Sequence, residues 1–133
     1  MANFSRYNAK DTTIMVDGVY ITGLGESMWS FSKEEGLAEN SVGAQGDIVR
    51  NEINNSIYTA TVTVQQTSPQ VNFLFGLKNR TEPFPLWMIN KALGRREGGS
   101  KALMNEVPED ALGAEAEELE FSFTVYDGDI TTD

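Results

Sequence analysis

The sequence predicts a mainly β domain, an antiparallel β-sandwich or barrel with one flanking α-helix. Three observations carry this. Tyr58, Ala60, Val62 and Val64 alternate with Thr59, Thr61, Thr63 and Gln65. A period of two in β-branched residues marks a strand with one buried face. Leu119, Phe121, Phe123 and Val125 alternate in the same way with Glu118, Glu120, Ser122 and Thr124. Between them, Thr67-Ser68-Pro69 halts the first strand and opens an apolar run at helical spacing, Val71, Leu74 and Phe75, with Phe73 and Leu77 alongside.

That run predicts a helix capped by Ser68, with Pro69 at its first position, where a missing N–H costs nothing. Lys78 and Arg80 suit the negative end of its dipole. Its surplus of apolar residues implies cover on most sides.

The other elements follow in chain order. Residues 1–10 are polar and predict a loose arm whose Phe4 and Tyr7 can dock on a neighbour. Thr12–Val16 and Val19–Ile21 read as strands around Asp17-Gly18, a two-residue hairpin signal. Gly23 and Gly25 break the second strand, and Ser27–Lys33 predicts a third, burying Trp29 and Phe31. From Glu34 to Asn55 the periodicity fails. Gly36, Asn40, Ser41, Gly43 and Gly46 punctuate it, and Val42, Ile48, Val49 and Ile53 are scattered through it. So long an irregular stretch is uncommon inside a domain. It predicts either a mobile surface loop or an inter-subunit arm, residues 36–55, and its apolar residues favour the arm. Pro83 and Pro85 predict a turn, and Leu86–Ile89 a short apolar strand with Trp87 in the core. Asn90–Ser100, with Lys91, Arg95, Arg96 and three glycines, reads as a basic hairpin tip ahead of a strand at Ala102–Val107. Glu109–Glu118 is an acidic connector, Asp127-Gly128 a turn, and Asp129–Asp133 an acidic tail. The tally is seven or eight strands and one helix in a single domain, 1–133, with mobile termini at 1–10 and 127–133.

Composition excludes several classes of chemistry. No apolar run is long enough to span a bilayer, and the N-terminus lacks a secretory apolar core, so neither a membrane nor a cleaved signal is expected. The chain has no Cys and no His, which removes disulfides, His–Cys zinc sites and Ser-His-Asp triads. A formal net charge of −10 argues against wrapping nucleic acid, though not against a channel that nucleic acid passes without sticking. No phosphate-cradling glycine motif and no calcium-loop spacing is present. Glu118 and Glu120 project from one strand face, but carboxylates there are ordinarily solvated, so no catalytic, metal or cofactor-binding residue is expected.

Three stretches, in order, carry a resemblance: Val16-Asp17-Gly18-Val19-Tyr20-Ile21-Thr22-Gly23, Ser41-Val42-Gly43-Ala44-Gln45-Gly46-Asp47-Ile48-Val49-Arg50, and Val64-Gln65-Gln66-Thr67-Ser68-Pro69. Phe84-Pro85 before a Trp-containing strand and the late acidic-then-aromatic strand agree with it. The chain resembles the tail tube (inner tube) proteins of contractile-tailed phages, and is similar to the tube proteins of phage-derived bacteriocins and type VI secretion systems. The resemblance implies a structural, non-enzymatic homo-oligomer: hexameric rings stacked into a hollow tube. It also implies tail sheath, tape measure and baseplate partners, and assembly in the host cytoplasm into a virion. DNA would pass through the lumen without specific binding. About four strands per copy would close an inner barrel of about 24 strands, about 48 Å across the backbone at ~4.8 Å spacing and a ~40° tilt.

On that reading the lumen-facing candidates are Thr59, Thr61, Thr63, Gln65, Glu118, Glu120, Ser122 and Thr124. The inter-subunit candidates are Val42, Gln45, Asp47, Ile48, Val49, Arg50 and Ile53 of the arm, with Arg95 and Arg96 meeting an acidic surface of the next ring. The alternative is a carbohydrate- or receptor-binding β-sandwich module of a baseplate or fibre, which needs an exposed aromatic platform.

Overall fold

The computed structural model describes residues 4–132. Met1–Asn3 and Asp133, and with them part of each terminal segment expected to be mobile, lie outside it.

Ten strands are present among the described residues: β1 (Thr12–Val16), β2 (Val19–Tyr20), β3 (Leu24–Lys33), β4 (Ala38–Val42), β5 (Ile48–Glu52), β6 (Tyr58–Gln65), β7 (Phe84–Asn90), β8 (Arg95–Glu106), β9 (Glu118–Val125) and β10 (Asp129–Thr132). One helix, α1 (Val71–Gly76), continues as a 3-10 turn at Leu77–Asn79. Eight strands form one antiparallel sheet in the order β2-β1-β7-β8-β9-β6-β3, with β10 also on β8; β4 and β5 pair only with each other. The domain is a mainly antiparallel β-sandwich with one helix.

Alternation builds the core. In β9, Leu119, Phe121, Phe123 and Val125 are buried; in β6, Ala60, Val62 and Val64 are. In the other half of the sheet, Ile14, Val16, Phe84, Leu86 and Met88 join the same cluster. Val71, Leu74 and Leu77 press one helical face onto it, and Phe75 meets Phe121 edge to face at 5.1 Å between centroids.

The helix is shorter than expected and starts later. The Ser68 hydroxyl donates to the Thr22 carbonyl at 2.6 Å, and the Ser68 carbonyl accepts from Val71 N. Gln70 thus occupies the N-cap position without a side-chain cap bond. Ser68 still serves the turn, accepting from Gln70 N at 3.3 Å, but its main partner comes from β2's exit, which sequence spacing could not show.

Several sequence expectations are corrected. Within the tail expected to be mobile, Asp129–Thr132 is a strand paired with Gly98–Arg95 of β8. Gly98 and Gly99 lie inside β8 rather than at a hairpin tip. Gly98 has φ 133°, and a Cβ there would strike the Leu86 carbonyl, so β7 and β8 need a glycine at that point. Pro85 belongs to β7, opposite a bulge where three steps along β8 (Gly99 to Ala102) face two along β7 (Leu86 to Phe84). Its missing N–H leaves no gap in the ladder there.

Trp29 and Phe31 are half-buried rather than core, because β3 is an edge strand. Phe31 stacks on Trp29 (5.6 Å) and on Tyr58 (4.5 Å), and Trp29 Nε1 donates to Glu97 Oε1 at 2.8 Å. That bond ties edge strand β3 to β8 across the open end of the sandwich. Trp87 is also half-buried, on the outer face, with the Arg96 guanidinium 3.9 Å from its ring centroid.

Candidate functional site: a polar sheet face and an exposed hairpin

The eight residues expected to line a lumen share one face of the sheet. Thr59 pairs with Thr124, Thr61 with Ser122, Thr63 with Glu120, and Gln65 with Glu118. Directly opposed residues of antiparallel strands point the same way. Ser30 and Ser32 of β3, paired with Thr61 and Thr59, extend this face by a column. The Ser27–Lys33 alternation carries that signal, since Ser30 and Ser32 lie opposite Trp29 and Phe31.

Cover is uneven across the face. Gln65, Glu118 and Glu120 are exposed, the other threonines and Ser122 are half-buried, and Thr63 is buried. The β3 bulge between Leu24 and Trp29 covers Thr63, with Gly25 against it. Glu118 is held there too, accepting from Glu26 N at 3.3 Å. It stands next to Glu120 on the strand with no third acidic partner: no cluster of three potential metal-binding side chains occurs among the described residues.

The face spans four adjacent strands. The second half of β8 pairs with β9 (Leu103 with Thr124, Glu106 with Ser122), β9 with β6, and β6 with β3. On the far side of β8, pairing with β7 stops at Ala102. Among the described residues, Leu103–Glu106 and β3 therefore each present an unpaired edge.

The 34–55 stretch, expected to be irregular, is a β-hairpin. Ala38–Val42 pairs with Ile48–Glu52 in unbroken register. Gly43 N donates to Asp47 O and Gly46 N to Gly43 O, and Gly46 takes φ 91° to close the turn. The hairpin escaped the sequence reading because neither strand has a buried face to impose a period of two. Of its candidate residues, Val42, Gln45, Asp47, Ile48, Val49 and Arg50 are exposed, and Ile53 is half-buried at the neck, donating to Leu37 O. Val42 and Ile48 face each other across the tip at 69% and 70% exposure. A two-stranded ribbon without a packed face is marginal alone.

Arg95 and Arg96 do not act as a unit. They alternate across β8, so Arg96 lies on Trp87 while Arg95 borders a cavity of about 420 Å³ at the open end, beside Trp29, Phe31 and Asn90. Asn90 is buried, donating to Thr12 Oγ1 and accepting from Leu93 N.

A group missed in the sequence sits where β9 passes into β10. The Asp127 carboxylate accepts from Ser100 N (3.2 Å), Lys101 N (2.9 Å) and the Ser100 hydroxyl. These are the N–H groups that the β8 bulge leaves out of the ladder. Slight burial opposes ionisation, but the Ser100 hydroxyl and these backbone donors outweigh it and hold the carboxyl below the usual aspartate range.

No family model matches the chain, and no curated protein matches it. Solved structures do. The cap that terminates the tube of the anti-feeding prophage matches with a TM-score of 0.64, at 11% identity, over 100% of this chain and 95% of that one. The sheath/tube terminator of an extracellular contractile injection system (PVC), in its extended state, matches with a TM-score of 0.58, at 11% identity, over 98% of this chain and 100% of that one. The likeness is one of fold, and it runs end to end in both.

Proposed function

We propose that this chain is a structural, non-catalytic subunit of the tube of a contractile, phage-like tail, built as hexameric rings that stack into a conduit for DNA. The observation that carries this reading is the four-stranded unit β8–β9–β6–β3, apolar inward and polar outward, with Leu103–Glu106 and β3 lacking a further strand partner among the described residues. Unpaired edges invite another chain. The β3 edge of one copy pairs with Leu103–Glu106 of the next. Six copies then close a barrel of about 24 strands whose bore is lined by Thr59, Thr61, Gln65, Glu120, Ser122 and Thr124, with Glu118 and Thr63 toward its rim. Two fold neighbours are themselves terminators of such tubes, which supports a place in the tube assembly. The hairpin arm, unpacked on its own body, docks on an adjacent copy. Sheath, tape measure and baseplate proteins complete the surroundings in the particle, and subunits assemble in the host cytoplasm. The acidic balance suits a wall that DNA passes without adhering.

Negative-stain microscopy and sedimentation of the purified protein test this. Rings or tubes with a central hole are expected. A protein that stays monomeric at every concentration and salt refutes it. Trp29 and Phe31 on the cavity wall, with Tyr58 stacked on Phe31, favour the second reading, a carbohydrate-binding module. Glycan binding by a monomer would establish that instead.

A further inference from the structure

We propose that copies stack head to tail through opposite charges at the two ends of β8, the β7–β8 turn of one subunit seating against the β8–β9 connector of the next. This presupposes the ring-forming subunit proposed above and names the surfaces joining one ring to another.

β8 runs from Arg95 to Glu106 through the bulge at Gly99–Ala102, at most about 36 Å at ~3.3 Å per residue, and its first half pairs with β7 and β10 while its second half pairs with β9, so its two ends belong to different parts of the sheet. At one end stand Lys91, Arg95 and Arg96, all exposed, with Lys10 close by because Thr12 pairs with Asn90. Asp11, Glu26, Glu97 and Asp129 are the described acids near this end, and Glu97 is engaged by the Trp29 indole. At the other end Glu106, Glu109, Asp110, Glu115 and Glu117 are exposed. No Lys or Arg occurs anywhere from Ala102 to the last residue. The connector therefore has no cation of its own segment to answer it.

Among the described residues, neither end carries an ion pair. The two ion pairs among the described residues, Arg50–Glu52 and Arg80–Asp17, lie elsewhere. Among the described residues, Asp110 alone of the β8–β9 connector's carboxylates has a hydrogen-bond partner, the neutral amide of Gln66.

A chain with opposite charge at its two ends has one favourable way to meet its copy along that direction. A two-fold contact would place like on like. A head-to-tail contact places cation on anion and leaves the same two surfaces free at each end, so it propagates. A single exposed pair contributes about 0–1 kcal/mol, but a ring repeats the contact in every copy. Exposed charges are screened beyond about 8–10 Å at moderate salt, so stacking should be strongly salt-sensitive.

Charge swapping tests this. The first variant carries Lys91→Glu and Arg95→Glu; Arg96 is left alone because it packs on Trp87. The second carries Glu109→Lys, Glu115→Lys and Glu117→Lys. Circular dichroism checks folding, and Lys91→Gln with Arg95→Gln substitutes should the reversal unfold the chain. Sedimentation and negative stain read ring stacking against NaCl concentration. Each variant alone should need at least about a tenfold higher concentration to stack, and a mixture of the two should recover wild-type behaviour as alternating layers. Either variant alone stacking at the wild-type concentration, or a mixture that restores nothing, overturns the head-to-tail contact while leaving the ring reading intact. A wild-type protein forming no rings at all overturns both.

Discussion

Replacing Gly36–Asn55 by Asn-Gly separates the arm's role in assembly from any role in folding. Glu34 N donates to Ile57 O, and Lys33 pairs with Tyr58, so the two ends of the excised segment already lie side by side. Glu35-Asn-Gly-Ser56 then closes β3 to β6 as a short hairpin. None of the excised residues belongs to the buried core, so the transfer free energy lost is small. The loop shortens roughly fivefold, which reduces its closure entropy by about 1.5 kcal/mol. For a domain of this size that is a rise of about 5 °C in Tm. Ser56 remains, and with it the bonds to Tyr126 O and from Gly128 N. Differential scanning calorimetry reads the first effect and negative stain the second. The expected result is a monomeric or ring-limited protein at least as stable as wild type that does not elongate. A fall of several degrees in Tm would mean that the arm supports the core. Tubes of wild-type length would mean that it has no part in assembly.

The remaining predictions concern single sites. Phe121→Ala empties a fully buried position beneath the helix and should lower stability by about 3–5 kcal/mol in urea unfolding, because Phe75 loses its partner ring as well. Gly98→Ala forces a Cβ toward the Leu86 carbonyl at φ 133° and should cost more stability than Gly46→Ala, whose Cβ meets nothing. Asp127→Asn should destabilise the fold near neutrality. Because the folded-state pKa is depressed, the carboxylate's contribution is present above the unfolded value near 3.9 and fades as pH falls through the lower folded value, so the Tm gap between wild type and variant should narrow below about pH 4. Glu118→Lys with Glu120→Lys reverses charge on the polar face. Tubes should still form but retain added DNA in a filter-binding assay; unchanged retention would remove these residues from the bore.

Residue pattern alone determined the parts of this fold in which one side of a strand is dry. The β6 and β9 alternations, the Asp17-Gly18 hairpin (φ 51° and 80°) and the polar face they imply follow from local sequence, because burial imposes a period of two wherever a core is present. The lack of His and Cys likewise excludes disulfides, His–Cys zinc sites and Ser-His-Asp triads by composition alone. Tertiary structure alone decided what depends on distant partners. Edge position left Trp29 half-open and bonded to Glu97, pairing with β8 turned an acidic tail into β10, and the Thr22 carbonyl took the hydroxyl expected to cap the helix. The arm became a hairpin with no apolar face for a period to report. Apart from that hairpin, whose pairs are local, each of these turns on a contact between residues far apart in the chain, and such contacts leave no mark on the spacing of neighbours.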